Sequence, residues 1–172
     1  MKTVWLLRHA KAGAGRDDES DHERALEARG RGAAERVGRH LAERAVAFDL
    51  ALCSTAVRAR ETLTHLTLGL GGAPETKYEP DLYLASAGEI AARLQELPAK
   101  VTSVLFVGHN PGVGELAARL AHTGDATRRS EIHIKFPTCA LAELCFDASD
   151  WHDLTLGCEL ASYVTPKRLE RS

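Results

Sequence analysis

Apolar runs of strand length recur along this chain, and most lead into a stretch with helical spacing. Val4 to Leu7 precedes a helical pattern from about Ala25 to Arg44. Phe48 to Cys53 precedes one from about Thr55 to Leu68. Thr76 to Tyr83 holds a short strand interrupted by Pro80, ahead of a helix at Ser86 to Leu97. Ser103 to Val107 is the strongest strand signal and leads into a helix ending near His122. Strands that alternate with helices build a layered α/β fold, because each helix must bury its apolar stripe on a sheet. Further strands are expected at Ile132 to Phe136, at Cys139 to Phe146 beyond Pro137, and at Leu160 to Val164.

Local signals place the element ends. Ser54 is expected to cap the second helix and Asp21 the first, while Ser86 and Glu89 form a capping box. Pro111 suits a first helical position. In the first helix Ala33, Val37 and Leu41 form an apolar stripe, with a weak point at Gly30-Arg31-Gly32. Its small residues Ala34, Gly38 and Ala42 imply close packing against a sheet. The polar tail from Lys167 to Ser172 is expected to be loosely held.

The chain has 172 residues, which suits one domain spanning 1–172, with no linker and no repeat. At 44% hydrophobic and 27% charged it has enough apolar matter for a core. A formal net charge of −2 gives no global basic field for nucleic acid. No apolar run approaches the ~20 residues that a membrane span needs. The first run is too short for a signal peptide and ends in Arg8, so the cytoplasm is the expected compartment. Cys53, Cys139, Cys145 and Cys158 form no CxxC pair and no zinc spacing, and are expected as reduced thiols. No close His/Asp/Glu set implies a metal, and no cofactor is called for.

Three strand ends carry similar chemistry. The first stops at Arg8-His9, the second at Ser54 with Arg58 one helical turn on, and the fourth at Gly108-His109. Arg8-His9 alone is either a strand end meeting water or half of a phosphate site. If the strands are parallel, all three ends lie on one sheet edge, where open α/β sheets bind ligands. Two guanidinium groups, two imidazoles and helix N-termini would then converge on a site suited to an anion. His22, His40, His65, His122, His133 and His152 match no motif and are expected as surface or core histidines. Ser54 lacks the Gly-x-Ser-x-Gly setting of a nucleophile.

Leu7-Arg8-His9-Ala10-Lys11, the segment Ser54 to Thr62, and Val107-Gly108-His109-Asn110-Pro111 resemble the signatures of the histidine phosphatase superfamily. Asp21-His22-Glu23-Arg24-Ala25-Leu26, Phe136-Pro137-Thr138 and Val164-Thr165-Pro166 extend the resemblance to its small SixA-type phosphohistidine phosphatases. It implies a phosphoglycerate mutase-like three-layer α/β/α fold with a mainly parallel central sheet. It also implies a phosphoenzyme mechanism in which His9 is the nucleophile. Arg8 and Arg58 would hold the phosphoryl oxygens, His109 would donate to them, and Arg24 would be a further phosphate contact. Mutases of the family carry a glutamate acid where this chain reads Asp81 to Ser86. Asp21 is therefore the first candidate for the acid, with Glu79 or Asp81 behind it. An imidazole leaving from phosphohistidine needs less protonation than an alkoxide does. The expected substrate is a phosphorylated protein carrying phosphohistidine. A broad phosphomonoesterase for small phosphate esters, or a non-catalytic phosphate-binding module, are the alternatives. No nucleic acid or membrane partner is expected, and the oligomeric state stays open.

Overall fold

A computed structural model describes residues 1–171. Seven strands form one sheet in the order β3-β2-β4-β1-β6-β7-β5. They are β1 (Lys2–Arg8), β2 (Leu50–Ser54), β3 (Thr76–Glu79), β4 (Ser103–Gly108), β5 (Ala121–Gly124), β6 (Leu141–Phe146) and β7 (Cys158–Val164). β1, β2, β3 and β4 run parallel to one another. β6 is antiparallel to both its neighbours, and β5 lies parallel to β7. The helices are α1 (Ala28–Glu43), α2 (Val57–Leu70), α3 (Ala87–Gln95), α4 (Gly112–Leu120), α5 (Ala126–Ile134) and the short α6 (Pro166–Leu169). No helix among the described residues is long and apolar enough to cross a membrane.

The strands read as continuous apolar runs because both sheet faces are covered. Val4, Leu6, Leu52, Val104 and Phe106 point to one face, where they meet Ile90 and Leu94 of α3 and Val113 and Leu116 of α4. The alternate residues Trp5, Leu7, Ala51, Cys53, Leu105 and Val107 point to the other, against Val37 and Leu41 of α1 and Leu63 and Leu66 of α2. The period-two side-chain alternation of strands thus yields the expected three layers. Each fully buried Leu contributes about 1.5–3 kcal/mol through apolar burial.

Several local expectations give way to competing contacts. The alternation of Ile132, Ile134 and Phe136 with polar residues mimics a strand, yet Ile132 and Ile134 lie in α5. The Asp125 side chain caps that helix by accepting from the Arg128 amide at 2.8 Å, and only Ile132 is buried. α4 stops at Leu120, because Ala121 to Gly124 pair with β7. Ser54 belongs to β2, and α2 begins at Val57 with Ala56 as its N-cap. Asp21 caps nothing in α1, whose N-cap is Glu27, and the helix runs unbroken through Gly30 and Gly32. The tail is tied down: Leu169 packs on the α1/α2 cluster and Glu170 pairs with Arg36 at 3.0 Å. Ser172 lies outside the described residues. The Ser86–Glu89 capping box is present.

Gly38 does not face the sheet as expected. It lies against α2, where a Cβ would collide with the Leu66 carbonyl, and Gly69 of α2 lies likewise against the Glu35 carbonyl. The two helices therefore touch backbone to backbone.

Candidate active site

The register of the parallel strands builds the site. Arg8 of β1 lies opposite Gly108 of β4, so His9 and His109 leave the sheet side by side. The His9 amide donates to the Gly108 carbonyl at 2.9 Å, and the two imidazole rings stand 5.2 Å apart. β2 is parallel to β4 and ends at Ser54, and α2 then returns Arg58 to the same edge. The expected convergence of two histidines and two arginines is thus present in space.

His9 has a defined tautomer. Its Nδ1 lies 2.8 Å from the Ala10 carbonyl, which can only accept, so Nδ1 carries the proton. Nε2 keeps its lone pair and accepts from Arg58 Nε at 3.3 Å. Burial pulls the His9 pKa down to about 4, opposed by the Ala10 hydrogen bond and assisted by the charges of Arg58, Arg8 and Arg24. The loop behind the ring is fixed by Thr62, whose hydroxyl accepts from the Ala10 amide at 2.9 Å and donates to the Arg58 carbonyl at 2.6 Å.

His109 is 2% exposed, and burial is the main force that pulls its pKa down to about 3, with His9 and Arg58 adding to it. Its Nε2 lies 2.8 Å from Ser54 Oγ, which also accepts from the Ala56 amide at 3.2 Å. The hydroxyl has one proton to give, and His109 Nε2 is the acceptor within reach. With the hydroxyl as donor the imidazole proton sits on Nδ1, a buried nitrogen with no hydrogen-bond partner among the described residues. Arg8 donates from Nη1 to the Phe136 carbonyl at 3.0 Å, while its buried Nε also lacks a partner among the described residues. Asn110 Nδ2 donates to the same carbonyl at 2.8 Å, tying the third motif to the first.

A short turn at Asp21–Glu23 lies over this group. Arg58, 4% exposed, donates from Nη1 to the Asp21 carbonyl at 2.6 Å and from Nη2 to Asp21 Oδ2 at 3.0 Å. Asp21 also accepts from the Tyr83 hydroxyl and from Arg24 Nη1, the latter at 2.9 Å. These donors, Tyr83 foremost, hold Asp21 well below the ordinary carboxylate range, so it is an anion without a proton to give at neutral pH. Arg24 joins the site through Asp21 and is anchored at the Gly13 carbonyl at 2.9 Å. Glu79 stands apart in a two-bond pair with Arg93, and Asp81 is an exposed residue of the following turn.

Tyr83 is a contributor that the residue pattern does not flag, and His22 and Ser54 take roles other than those expected of them. Tyr83 packs edge-on against His109 at 5.4 Å and His22 at 4.9 Å, and lies under the Arg58 guanidinium. His22 Nε2 lies 2.9 Å from the Thr55 hydroxyl and so helps to latch the turn onto α2. Ser54 holds the amide of Ala56, the N-cap of α2, and also bonds His109. Tyr83 lies in the segment Asp81 to Ser86, which holds no glutamate but brings a phenol to the site. No group of three or more potential metal ligands exists among the described residues.

Imidazoles and guanidiniums at the ends of adjacent parallel strands define an α/β protein with an anion-handling edge. The chain belongs to the histidine phosphatase superfamily, branch 1, whose model matches residues 4–100. It is similar to the SixA structure from Nakamurella multipartitia, with 31% identity, a TM-score of 0.83 and 96% of each chain covered. It is also similar to the protein histidine phosphatase SixA complexed with tungstate, with 25% identity, a TM-score of 0.78, and 97% of this chain and 99% of that one covered. An uncharacterized protein of Mycobacterium tuberculosis is 39% identical over 164 residues, 94% of this chain and all of its own. The fold and the SixA-type grouping agree with the resemblance read from the motifs.

Proposed function

We propose that this protein is a phosphatase that removes the phosphoryl group of a protein phosphohistidine through an intermediate on His9. The observation that carries this reading is the state of the two histidines. His9 presents an unprotonated Nε2, and the buried Arg8 Nε and His109 Nδ1, the latter a donor when Ser54 donates to Nε2, have no partner among the described residues. Buried donors without partners are costly unless a ligand uses them. A phosphoryl group supplies the acceptors that these donors lack.

The arriving phosphoryl oxygens take Arg58 from Asp21, since both anions need the same guanidinium. His9 Nε2 then forms a bond to phosphorus as the bond to the substrate imidazole breaks, that ring being protonated on its other nitrogen so that it departs neutral. Arg8, Arg58 and His109 Nδ1–H hold the oxygens as they gain charge. In the second half, water bonds to phosphorus, the His9–phosphorus bond breaks, and inorganic phosphate departs. Asp21 is ionised in the resting site, so no strong acid stands ready for an alkoxide. That favours a leaving group of low basicity. The tungstate complex of the similar SixA places an oxyanion on a related protein and supports the same reading.

A substrate panel tests it. A phosphohistidine peptide should be hydrolysed faster than an aryl phosphate, and an aryl phosphate faster than a sugar phosphate. His9→Ala should remove all three activities. Faster turnover of the sugar phosphate would favour a small-ester phosphatase, and no turnover at all would favour a binding module.

A further inference from the structure

Beside the catalytic group runs a cleft of about 550 Å3. Its floor is Pro137, Thr138 and Cys139, and the Cys139 amide bonds the carbonyls of Arg8 and His9 at 3.1 and 3.0 Å. The floor is therefore fastened to the backbone of the first motif. The walls carry Lys11, Arg29, Arg36, Lys135 and Lys167 against a single carboxylate, Glu170. Glu170 is held by Arg36 at 3.0 Å, and the other four cations have no ion-pair partner among the described residues. This concentration of positive charge sits on a chain whose net charge is −2. Nothing in the catalytic scheme uses it.

The neighbouring groove shares Lys135, Pro137, Thr165 and Lys167 with the cleft and adds Ile134. Ile134 is 83% exposed at the end of α5, a large apolar side chain left in water. A free phosphate or nucleotide would have no use for an isoleucine on the rim. A polypeptide would, because interfaces combine a few apolar anchors with a charged surround.

We infer that this cleft docks an acidic segment of the phosphoprotein substrate next to the phosphorylated side chain, with Ile134 as an apolar contact. The inference rests on the proposed phosphohistidine reading for the identity of the partner. The mode of binding is charge complementarity in a partly enclosed groove, which focuses the field of the lysines and arginines. Asp and Glu side chains would replace the missing ion-pair partners of Lys11, Arg29, Lys135 and Lys167.

The test uses the double variant Lys135→Glu/Lys167→Glu, neither position having a role in the proposed catalytic scheme. Three probes are compared in wild type and variant: an aryl phosphate, phosphohistidine peptides with acidic or neutral flanks, and a labelled unphosphorylated Glu-rich peptide followed by anisotropy. The expected result is a KM about tenfold higher for the acidic-flanked peptide in the variant, with kcat and aryl phosphate turnover held within about twofold. The Glu-rich peptide should bind wild type, lose about tenfold in affinity in the variant, and dissociate as salt rises. Equal KM for both flanks in wild type would overturn the proposal. So would displacement of the Glu-rich peptide by equimolar inorganic sulfate, which marks a simple anion site. If that peptide binds as expected but no phosphohistidine is hydrolysed, the docking surface stands and the catalytic reading falls.

Discussion

At the scale of single residues, the site is a set of proton assignments. The Ala10 carbonyl fixes the proton of His9 on Nδ1, and in the proposed scheme the Ser54 hydroxyl donates to His109 Nε2 and holds its proton on Nδ1. Ser54→Ala leaves His109 free to choose its tautomer, and kcat should fall about tenfold, the worth of one well-placed hydrogen bond. An unchanged kcat would show that Ser54 serves packing alone. Protonation of His9 would remove the lone pair that the proposed attack needs, and burial holds its pKa near 4 where the ordinary value is 6.5. The acid limb of kcat/KM, corrected for the substrate's own titration, should therefore fall near pH 4 and not near 6.5. In the proposed scheme Asp21 and a phosphoryl group compete for Arg58. Asp21→Asn should tighten inhibition by inorganic phosphate about three- to tenfold, the worth of a modest ion pair; weaker inhibition would mean that Asp21 positions Arg58 and does not compete for it. Arg8, His9 and His109 were legible in the sequence because apolar runs stop abruptly at them. Tyr83 and the link from Ser54 to His109 were not, because both depend on which strands lie side by side.

At the scale of elements, close approach decides the arrangement of helices. Gly38 and Gly69 let α1 touch the C-terminal end of α2, the helix whose first turns hold Arg58 and Thr62. Gly38→Ala should lower stability by about 1–3 kcal/mol in urea unfolding, as overpacked sites do. Gly30 has a similar duty: a Cβ there would strike the Lys11 carbonyl, at the end of the first motif. The strands of the parallel half were legible because long apolar runs have few other uses. α5 was not, since a short alternating run of isoleucines obeys its Asp125 cap and not its hydrophobic period. β5 was missed for a related reason: His122 and Thr123 are exposed and give no apolar signal for the pairing with β7.

At the scale of the whole molecule, function and stability are coupled through buried neutral imidazoles. His9 and His109 have folded pKa values near 4 and 3, below the ordinary 6.5. Between those limits the unfolded chain binds protons that the folded one refuses, so stability falls as pH drops from 6.5 toward 4. Urea midpoints should decline across that window, by up to about one proton's worth of linkage per histidine, and the decline should be shallower in His9→Gln. A flat profile would mean that the two rings take up protons without cost in the folded state. The layered class of the fold could be read from strand–helix alternation, whereas the order β3-β2-β4-β1-β6-β7-β5 could not, because it is set by contacts between distant segments. The central claim is that the phosphoryl group passes through His9. A single turnover on a phosphohistidine peptide, quenched in alkaline denaturant and mapped by mass spectrometry, tests it directly. The account predicts one phosphoryl group on His9, decaying as phosphate appears and absent from His9→Ala. Full phosphate release by His9→Ala, or a phosphoryl group on any other side chain, would contradict it.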